Sequence, residues 1–312
     1  MPYSLDDKLV VAITGRALFD LAQAHRIFEQ DGLAAYRAHQ LKNIDTPLKP
    51  GTGLPLVRAL LALNQLGQGP LVEVVLLTRN DSESGLRLIK SIETQRLDIS
   101  RMAFTDGSDP YRYLESFSCD LFLSAQQEGV RAALEAGFAA ALVYPPPDVQ
   151  QQDVSQVRIA FDGDAVLFGS ESERIFQKEG IDAFHAHESQ MEDIPMPPGP
   201  FAGLLRAISS IQKQFPEHES PIRTALVTAR GAPAHMRLIK TLGAWGVTVN
   251  ESFFMGGVSK AKVLESFKPH IYFDDQPVHL DAAAKAVAAA RVIEHPIPGM
   301  NTLSREERDT LP

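Results

Sequence analysis

The stretch VRIAFDGDAVLF at residues 157–168 places two aspartates directly after an apolar run. Near the start of the chain, LVVAITGRALFD has the same apolar frame, but Thr14 and Arg16 stand where the later stretch has Asp162 and Asp164. Runs that are apolar throughout, rather than alternating, are typical of strands buried on both faces of a parallel sheet. Carboxylates at the end of a buried strand are costly unless their charge is offset. The two stretches therefore predict that the chain contains two copies of one fold, and that only the second copy has aspartates at the end of this strand.

The repetition extends along the whole chain. The segment LLTRNDSESGLRLIKSI (76–92) aligns without a gap with LVTARGAPAHMRLIKTL (226–242), at a spacing of 150 residues. Earlier in each half, HRIFEQDGLAAYRAH overlies ERIFQKEGIDAFHAH at a spacing of 148 residues. Matches in one order, at two nearly equal spacings, predict two copies of a single unit. We assign residues 1–150 to the first copy and 151–312 to the second, with a linker rich in proline and glutamine at 144–154.

Each copy alternates short β-branched runs with helical stretches such as GLRLIKSIETQ and PAHMRLIKTLGAW. Alternating strands and helices predict right-handed crossovers and an α/β unit of three layers. We therefore expect two tandem three-layer, Rossmann-like units that arose by internal duplication. Roughly 65 residues separate Asp162 from Thr228, which is too many for a simple crossover. We expect a small cap inserted there in the second copy, at roughly 170–221.

The composition is that of a globular protein without general affinity for nucleic acid. Of 312 residues, 44% are hydrophobic and 22% are charged, and the net charge is −9. An acidic chain is a poor partner for a phosphate backbone, although a metal ion or a local lysine can still bind small anions. Cys119 is the single cysteine, which excludes an internal disulfide and a multi-cysteine metal cluster. No apolar run reaches membrane-spanning length and no signal peptide is recognisable, so we expect a cytoplasmic protein without a membrane partner. Whether it forms a homo-oligomer stays open.

Polar residues follow the predicted strands at the edge where such sheets bind ligands, beyond the carboxyl ends. In the second copy these positions hold four aspartates, a threonine and a lysine: Asp162, Asp164, Thr228, Lys260, Asp274 and Asp275. The corresponding positions of the first copy hold no acid and no lysine: Thr14, Arg16, Thr78, Pro110, Ser124 and Ala125. The shared apolar frame is what the fold requires. The acids and the lysine of the second copy are therefore the candidates for chemistry, and we expect the first copy to be degenerate and non-catalytic.

The polar residues of the second copy suit phosphoryl transfer. Four carboxylates at one sheet edge repel one another, and a hard cation such as Mg²⁺ relieves that repulsion. Asp162 is then placed to attack phosphorus as a covalent nucleophile. Asp164, two residues later, is placed to protonate the leaving oxygen and later to deprotonate water. Thr228 and Lys260 are candidates for binding the non-bridging phosphate oxygens.

The ordered set of strand-end residues resembles the haloacid dehalogenase-like phosphatase superfamily. More closely, LVVAITGRALFDL, LLTRND, RIAFDGDAVLF, LVTARGAPAHMRLIKTL and HIYFDDQ are similar to the cytosolic type I 5′-nucleotidases and their bacterial relatives, over nearly the whole chain. The resemblance implies Mg²⁺-dependent hydrolysis of nucleoside 5′-monophosphates through an aspartyl-phosphate, with Asp162 as nucleophile and Asp164 as acid/base. It also implies a metal site made by the Asp162 side chain, the Asp164 backbone carbonyl and Asp274, with Asp275 ligating or orienting water.

Four points stay open at this stage. Lys262 competes with Lys260 for the phosphate, because the spacing before the last strand varies within the superfamily. The substrate is a nucleotide or, alternatively, a sugar phosphate or other small phosphoester; an alternative of another class is a nucleotide-sensing protein with a vestigial site. The predicted cap offers Phe184 and Phe201 as candidates for stacking on a base. The first copy is a scaffold or an effector site, and we favour a structural or interface role for Arg16 over anion binding.

Overall fold

The structure is a computed structural model that describes residues 4–67, 69–147, 155–216 and 218–293. The predicted linker at 144–154 lies outside the described residues from position 148 onwards, and so does the predicted boundary at residue 150. The end of the predicted second copy, beyond residue 293, lies outside them as well.

The strands are short, and those of the sheet interior are almost wholly buried. The described residues of the first half contain β1 (Leu9–Ile13), β2 (Phe19–Asp20), β3 (Lys49–Pro50), β4 (Val72–Thr78), β5 (Arg101–Phe104), β6 (Leu121–Ser124) and β7 (Ala139–Val143). Those of the second half contain β8 (Val157–Phe161), β9 (Ile222–Thr228), β10 (Glu251–Phe254), β11 (Ile271–Asp274) and β12 (Ala289–Arg291). Sequences such as LVVAI in β1 and VRIAF in β8 fit strands that are covered on both faces.

Helices connect the strands, as the alternating pattern predicts. The first half contains α1 (Gly15–Leu18), α2 (Ala22–Lys42), α3 (Leu54–Ala62), α4 (Leu86–Thr94) and α5 (Gln127–Glu135). The second half contains α6 (Glu171–Glu179), α7 (Ile181–Gln190), α8 (Ala202–Gln212), α9 (His235–Trp245), α10 (Ala261–Phe267) and α11 (Pro277–Ala283). Short 3₁₀ turns occur at Leu63–Gln65, Pro110–Tyr113 and Glu115–Phe117. Among the described residues, no helix combines the length and the hydrophobicity needed to span a bilayer.

Within the described residues, ten strands form one sheet in the order β10-β9-β8-β11-β12-β7-β6-β1-β4-β5. Neighbouring strands are parallel, except that β7 and β12 are antiparallel, with Val143 opposite Ala290. Strands β2 and β3 form a separate antiparallel ribbon. The prediction of a mixed α/β fold with a large, mostly parallel sheet is confirmed.

The two halves of the sheet have the same strand order. From the middle outwards, the first half runs β7-β6-β1-β4-β5 and the second runs β12-β11-β8-β9-β10. The halves meet edge to edge through β7 and β12, so one sheet continues through both of them. The sequence leaves this mode of packing open, because either half could bury its faces with helices of its own. An origin by internal duplication stays a prediction.

A helical pair follows the first strand of each half. In the second half, α6 and α7 meet at Gly180, which has φ 85° and ψ −176°. In the first half, α2 is kinked at Gly32, which has φ 81° and ψ −177°. The two glycines are 148 residues apart, and their positive φ is a conformation that glycine adopts without strain. The helical pair is therefore a feature of both halves, which differs from the expectation of a cap inserted in the second copy.

The later part of the segment predicted as cap belongs to the hydrophobic core. Helix α8 buries Leu204, Leu205, Ile208 and Ile211 in the main core cluster. Its counterpart in the first half is α3, which buries its own apolar face in the same cluster. The segment at 170–221 thus divides into a helical pair and a core helix.

Candidate functional site

The carboxyl ends of three neighbouring strands, β9, β8 and β11, bring the predicted polar residues together. Asp162 directly follows β8, whereas Thr228 and Asp274 are the last residues of β9 and β11; all three are buried. Since these ends lie at the same edge of a parallel sheet, a ligand beyond that edge meets all three side chains. A methyl group on Gly163 would lie 3.4 Å from Thr228 Oγ1, so this hydroxyl lies against the turn at residues 162–164.

Lys260 lies between two of the carboxylates. Its Nζ is 2.7 Å from Asp162 Oδ1 and 2.7 Å from Asp274 Oδ2, and the lysine is only 3% exposed. Burial lowers the pKa of Lys260, but the two carboxylates outweigh burial and raise it, so the side chain is a cation at neutral pH. Lys262, the alternative in the sequence, is exposed and lines a different cavity beside Arg158.

Three carboxylates are close enough to share one cation. One oxygen from each of Asp162, Asp274 and Asp275 lies within 4.8 Å of the other two. Burial, followed by the charges of Asp162 and Asp274, raises the pKa of Asp275 to about 8. Burial also raises the pKa of Asp162, against the attraction of Lys260. Asp275 Oδ1 is buried and has no hydrogen-bond partner among the described residues. The cluster is therefore short of positive charge, even with the lysine present.

Neighbouring groups fix the orientation of Asp274. The Tyr272 hydroxyl donates to Asp274 Oδ2, and the Gln276 backbone amide donates to Oδ1 at 2.8 Å. The Tyr272 ring also faces Lys260, with Nζ 5.9 Å from the ring centroid. Contacts of this kind hold a ligating carboxylate in one rotamer, and their loss typically weakens metal binding.

The Asp164 side chain has a different partner. Arg230 binds both of its oxygens, at 2.6 and 2.7 Å, in the forked geometry that suits a guanidinium. The same guanidinium contacts Glu188 in α7, and Arg237 donates to Glu188 at 3.0 Å. Burial lowers the pKa of Arg230, while Asp164 and Glu188 raise it by more. A chain of buried ion pairs thus connects the helical pair with the turn that follows β8.

Of the two aromatic residues expected to stack on a base, one lies in the core. Phe201 is fully buried and packs on Phe273, with ring centroids 4.8 Å apart, so it is not available to a ligand. Phe184 lies in α7, and the Arg230 guanidinium lies over its ring at 5.1 Å from the centroid. One face of this ring is therefore already occupied by a cation.

Glu188, Arg237 and Tyr272 were not among the predicted site residues, and no role was assigned to Arg230. Their contacts join residues that lie far apart in the chain, so no local sequence pattern predicts these contacts. One signal was present in the repeat: Glu188 and Arg230 are charged, whereas their counterparts Gln40 and Asn80 are neutral. Positions that gain charge in one copy alone indicate chemistry beyond what the fold requires.

Comparisons with known proteins identify relatives of the chain. Residues 1–297 match the 5′-nucleotidase family. Cytosolic 5′-nucleotidase 1B of Homo sapiens is 35% identical over 288 residues, which are 89% of this chain and 47% of that protein, so the chain spans about half the length of that relative. A solved structure of histidinol dehydrogenase from Elizabethkingia anophelis aligns with 91% of this chain and 52% of its own, at 10% identity and a TM-score of 0.23. That likeness is too low to bear on fold or function.

Proposed function

The chain belongs to the 5′-nucleotidase family, a family of phosphoric monoester hydrolases, and on that premise we propose that it is a Mg²⁺-dependent 5′-nucleotidase. It hydrolyses nucleoside 5′-monophosphates to a nucleoside and inorganic phosphate. The observation that carries the proposal is the buried Lys260 between Asp162 and Asp274, beside an acid with an unpartnered oxygen. The human relative is described as cytosolic, and we propose the same location for this chain.

The donor set fits a hard divalent cation. Oxygens of Asp162, Asp274 and Asp275 lie within 4.8 Å of one another, and Asp275 Oδ1 lacks a partner among the described residues. Mg²⁺ prefers oxygen ligands of this kind, a few carboxylates together with a substrate phosphate. The Asp162 side chain, the Asp164 backbone carbonyl and Asp274 would hold the ion, and Asp275 would ligate it or orient its water. When bound, the ion supplies positive charge beside the phosphate.

The first step transfers the phosphoryl group to the protein. An Asp162 oxygen attacks phosphorus, and the bond between phosphorus and the 5′ oxygen breaks. Asp164 donates a proton to that oxygen, so the nucleoside leaves uncharged. Lys260 and the Thr228 hydroxyl hold the non-bridging oxygens, whose charge grows during transfer. Arg230 binds both oxygens of the Asp164 carboxylate; when Asp164 carries the proton for the leaving oxygen, one of these hydrogen bonds is released and the other positions the carboxyl group.

The second step regenerates the carboxylate. Water attacks the phosphorus of the aspartyl-phosphate, Asp164 accepts the proton of that water, and the bond from phosphorus to Asp162 breaks. We propose that α6 and α7 act as the cap, since Glu188 of α7 is tied by Arg230 to the same acid. A cap held in this way keeps bulk water from the phosphoenzyme until the nucleoside has left.

The stability of the metal-free protein is expected to fall as the pH rises. Asp275 has a pKa of about 8 in the folded, metal-free protein, against about 4 in an unfolded chain. Between these values the folded state keeps a proton that the unfolded state has lost, so the free energy of unfolding decreases from about pH 4 to about pH 8. Mg²⁺ offsets the charge that appears, so the rise in Tm on adding Mg²⁺ should be larger near pH 8 than near pH 5.

Thermal unfolding monitored by circular dichroism, in EDTA and in Mg²⁺, checks this expectation across the pH range. The Asp275→Asn variant serves as control, because it cannot gain the charge and should show a flatter pH dependence in EDTA. Equal stabilisation by Mg²⁺ at both ends of the pH range would contradict the proposed metal site.

Arg230→Lys is expected to lower kcat by about ten- to a hundredfold, with a smaller effect on KM. Lysine keeps the charge but cannot bind both oxygens of Asp164, so the acid loses its fixed orientation. Arg223→Lys is the matched control, because that arginine is on β9, the strand that precedes Arg230, and pairs with Glu251 at a partly exposed site. Steady-state kinetics on a nucleoside monophosphate separate the two variants; equal kcat values for both would remove the positioning role from Arg230.

A panel assay of phosphate release tests the proposed function. The purified 312-residue chain is incubated with nucleoside 5′-monophosphates, sugar phosphates and other small phosphoesters, each in Mg²⁺ and in EDTA. The proposal predicts release from nucleoside monophosphates in Mg²⁺ alone. Preference for sugar phosphates would favour a phosphatase of the same mechanism, and binding of nucleotides without any release would favour a nucleotide-sensing protein.

We also propose that the two halves of the chain have different roles. Residues 1–150 form a degenerate, non-catalytic repeat and 151–312 form the catalytic one, with the cap reduced to the helical pair α6–α7. The shared strand order and the matching kinks at Gly32 and Gly180 support an origin of both units by internal duplication.

A further inference from the structure

A cavity lies in the first half at the position that corresponds to the proposed catalytic site. It has a volume of about 320 Å³ and lies beyond the carboxyl ends of β1 and β4. Strand-end residues form one wall, and α2 supplies the other through His25, Phe28, Leu33 and Tyr36. A cavity of this size suits a small organic ligand. The proposed hydrolysis makes no use of it.

The two sites differ in the charge of their corresponding residues. The proposed catalytic site has four acids and one arginine at five of these positions: Asp162, Asp164, Arg230, Asp274 and Asp275. The same positions of the first half have one arginine and no acid: Thr14, Arg16, Asn80, Ser124 and Ala125. A cluster of acids requires a cation before it can bind an anion, whereas an arginine binds one directly. The first-half cavity therefore needs no metal ion to receive an anion.

Arg16 has no counter-ion in this cavity. Within the part of the chain that the structure describes, its guanidinium makes no hydrogen bond and no ion pair. Burial lowers the pKa of Arg16, and the charge of Glu29 offsets this only in part. Glu29 lies 3.2 Å from His25, but burial and the charge of Arg16 lower the pKa of His25, so the ring is neutral at neutral pH and Glu29 keeps its charge. An anion that enters the cavity would therefore stabilise the charged form of this half-buried guanidinium.

Three other acids lie at or near the cavity wall, and two arginines bind them. Each is bonded to an arginine: Asp81 to Arg37 at 2.8 Å, Asp106 to Arg37 at 3.1 Å, and Asp109 to Arg79 at 2.6 Å. The pairs leave one negative charge in excess, since Arg37 binds two carboxylates, and Asp106, with 74% of its side chain exposed, holds that charge in contact with solvent. The pairs also fix the loops that follow β4 and β5, so the cavity is shaped before a ligand arrives.

Two polar groups of the strand-end wall have no partner among the described residues. Thr14 Oγ1 is one of them, and Thr14 is 8% exposed; Arg79 Nε is the other. Thr14 and Arg79 both line the cavity. Thr14 is the first-half counterpart of Asp162, the proposed nucleophile. A buried hydroxyl and a guanidinium N–H without partners lower the stability of the folded protein. An oxyanion that accepts hydrogen bonds from both groups would offset this cost.

The wall formed by α2 is aromatic and apolar. Phe28 and Leu33 are 45% and 47% exposed, although large apolar side chains are usually covered. Tyr36 meets Phe28 edge to face, with ring centroids 6.2 Å apart, and His25 stacks on Phe28 at 6.3 Å. These rings offer a surface for a flat, apolar group.

We propose that the first-half cavity binds a small organic anion that consists of an oxyanion and a ring, and that it does so without a metal ion. The oxyanion, a phosphate or a carboxylate, contacts Arg16, Thr14 and Arg79. The ring lies against Phe28, Leu33 and Tyr36. The site is separate from the proposed catalytic centre, which lies at the ends of β8, β9 and β11.

Isothermal titration calorimetry on the full chain in EDTA tests the proposal with four probes. Phenylphosphonate and benzoate carry both a ring and an oxyanion, inorganic phosphate lacks the ring, and phenol lacks the charge. We expect one equivalent of phenylphosphonate or benzoate to bind more tightly than phosphate, and phenol not to bind. The stronger of the first two identifies the oxyanion as phosphate-like or carboxylate.

Variants locate the binding. Arg16→Gln should weaken binding by about tenfold or more, since it removes a charge-assisted contact and no contact within the protein. Leu33→Glu, at a half-exposed position that tolerates a polar side chain, should weaken it as well by placing a negative charge at the cavity. Arg26→Gln removes an exposed charge from the same helix and should leave the affinity within about twofold.

Three outcomes would overturn the proposal. They are an absence of binding by any probe at millimolar concentration, wild-type affinity in Arg16→Gln, and loss of binding in Thr228→Ala with Arg16→Gln unaffected. The last result would place the probe in the catalytic half.

Discussion

The Asp162→Asn variant is expected to lose turnover by about 10⁴-fold or more while keeping its fold. An amide is a poor nucleophile, so the aspartyl-phosphate cannot form at a useful rate. The shape of the side chain is unchanged, and Lys260 retains Asp274 as partner at 2.7 Å. Steady-state phosphate release in Mg²⁺ gives the loss of activity, and circular dichroism gives the Tm.

Asp45→Asn is the control for this variant, because it makes the same chemical change at an exposed position of the first half. It should retain wild-type turnover and Tm. If Asp162→Asn hydrolysed nucleoside monophosphates within tenfold of the wild-type rate, Asp162 would not be the nucleophile.

Lys260→Met is expected to combine loss of turnover with a less stable metal-free protein. Removing the lysine leaves the carboxylates of Asp162 and Asp274 buried and facing one another without a cation. Breaking a buried pair by removing one partner typically costs about 3–5 kcal/mol of unfolding free energy. Mg²⁺ should restore part of the stability, because it supplies charge to the same carboxylates, but should not restore turnover. Urea unfolding with and without Mg²⁺, together with phosphate release, measures both effects.

Lys262→Met is the matched control, because it removes the same side chain two residues later from an exposed position. It should resemble wild type in both measurements. If Lys262→Met were inactive and Lys260→Met had normal turnover, Lys262 rather than Lys260 would be the lysine that binds the phosphate.

The sequence predicted the set of residues at the sheet edge because strand order alone brings them together. Asp162, Thr228 and Asp274 each stand at the end of an apolar run, and parallel neighbours place such ends on one edge. The contrast with the first copy marked the same residues as additions to the frame. Lys260 could not be separated from Lys262 in this way, because both precede the last strand and only burial distinguishes them.

The contacts around the acids could not be predicted, because they depend on the path of the chain in three dimensions. Arg230 lies 66 residues from Asp164 and 42 residues from Glu188 in the chain, yet its guanidinium group binds both carboxylates. Phe201 was a candidate for stacking on a base because it lies in the segment predicted as cap. Its position just before a core helix packs it on Phe273 instead.

The extent of the cap and the joining of the halves also required the structure. The long segment after β8 contains α6, α7 and α8, and hydrophobic pattern alone does not say which helix faces the core. The pairing of β7 with β12 joins two sheet edges that each half would otherwise expose. An unpaired edge is a liability in any sheet, so its closure has a physical reason, but no residue in either strand specifies the partner.

Acid quenching of the protein during turnover of a ³²P-labelled nucleoside 5′-monophosphate shows whether Asp162 carries the phosphoryl group between the two steps. We expect the label on the peptide that contains Asp162, in Mg²⁺ but not in EDTA, and no label in Asp162→Asn. Hydrolysis at the normal rate with no label on that peptide, or a label of equal amount in Asp162→Asn, would contradict this role of Asp162.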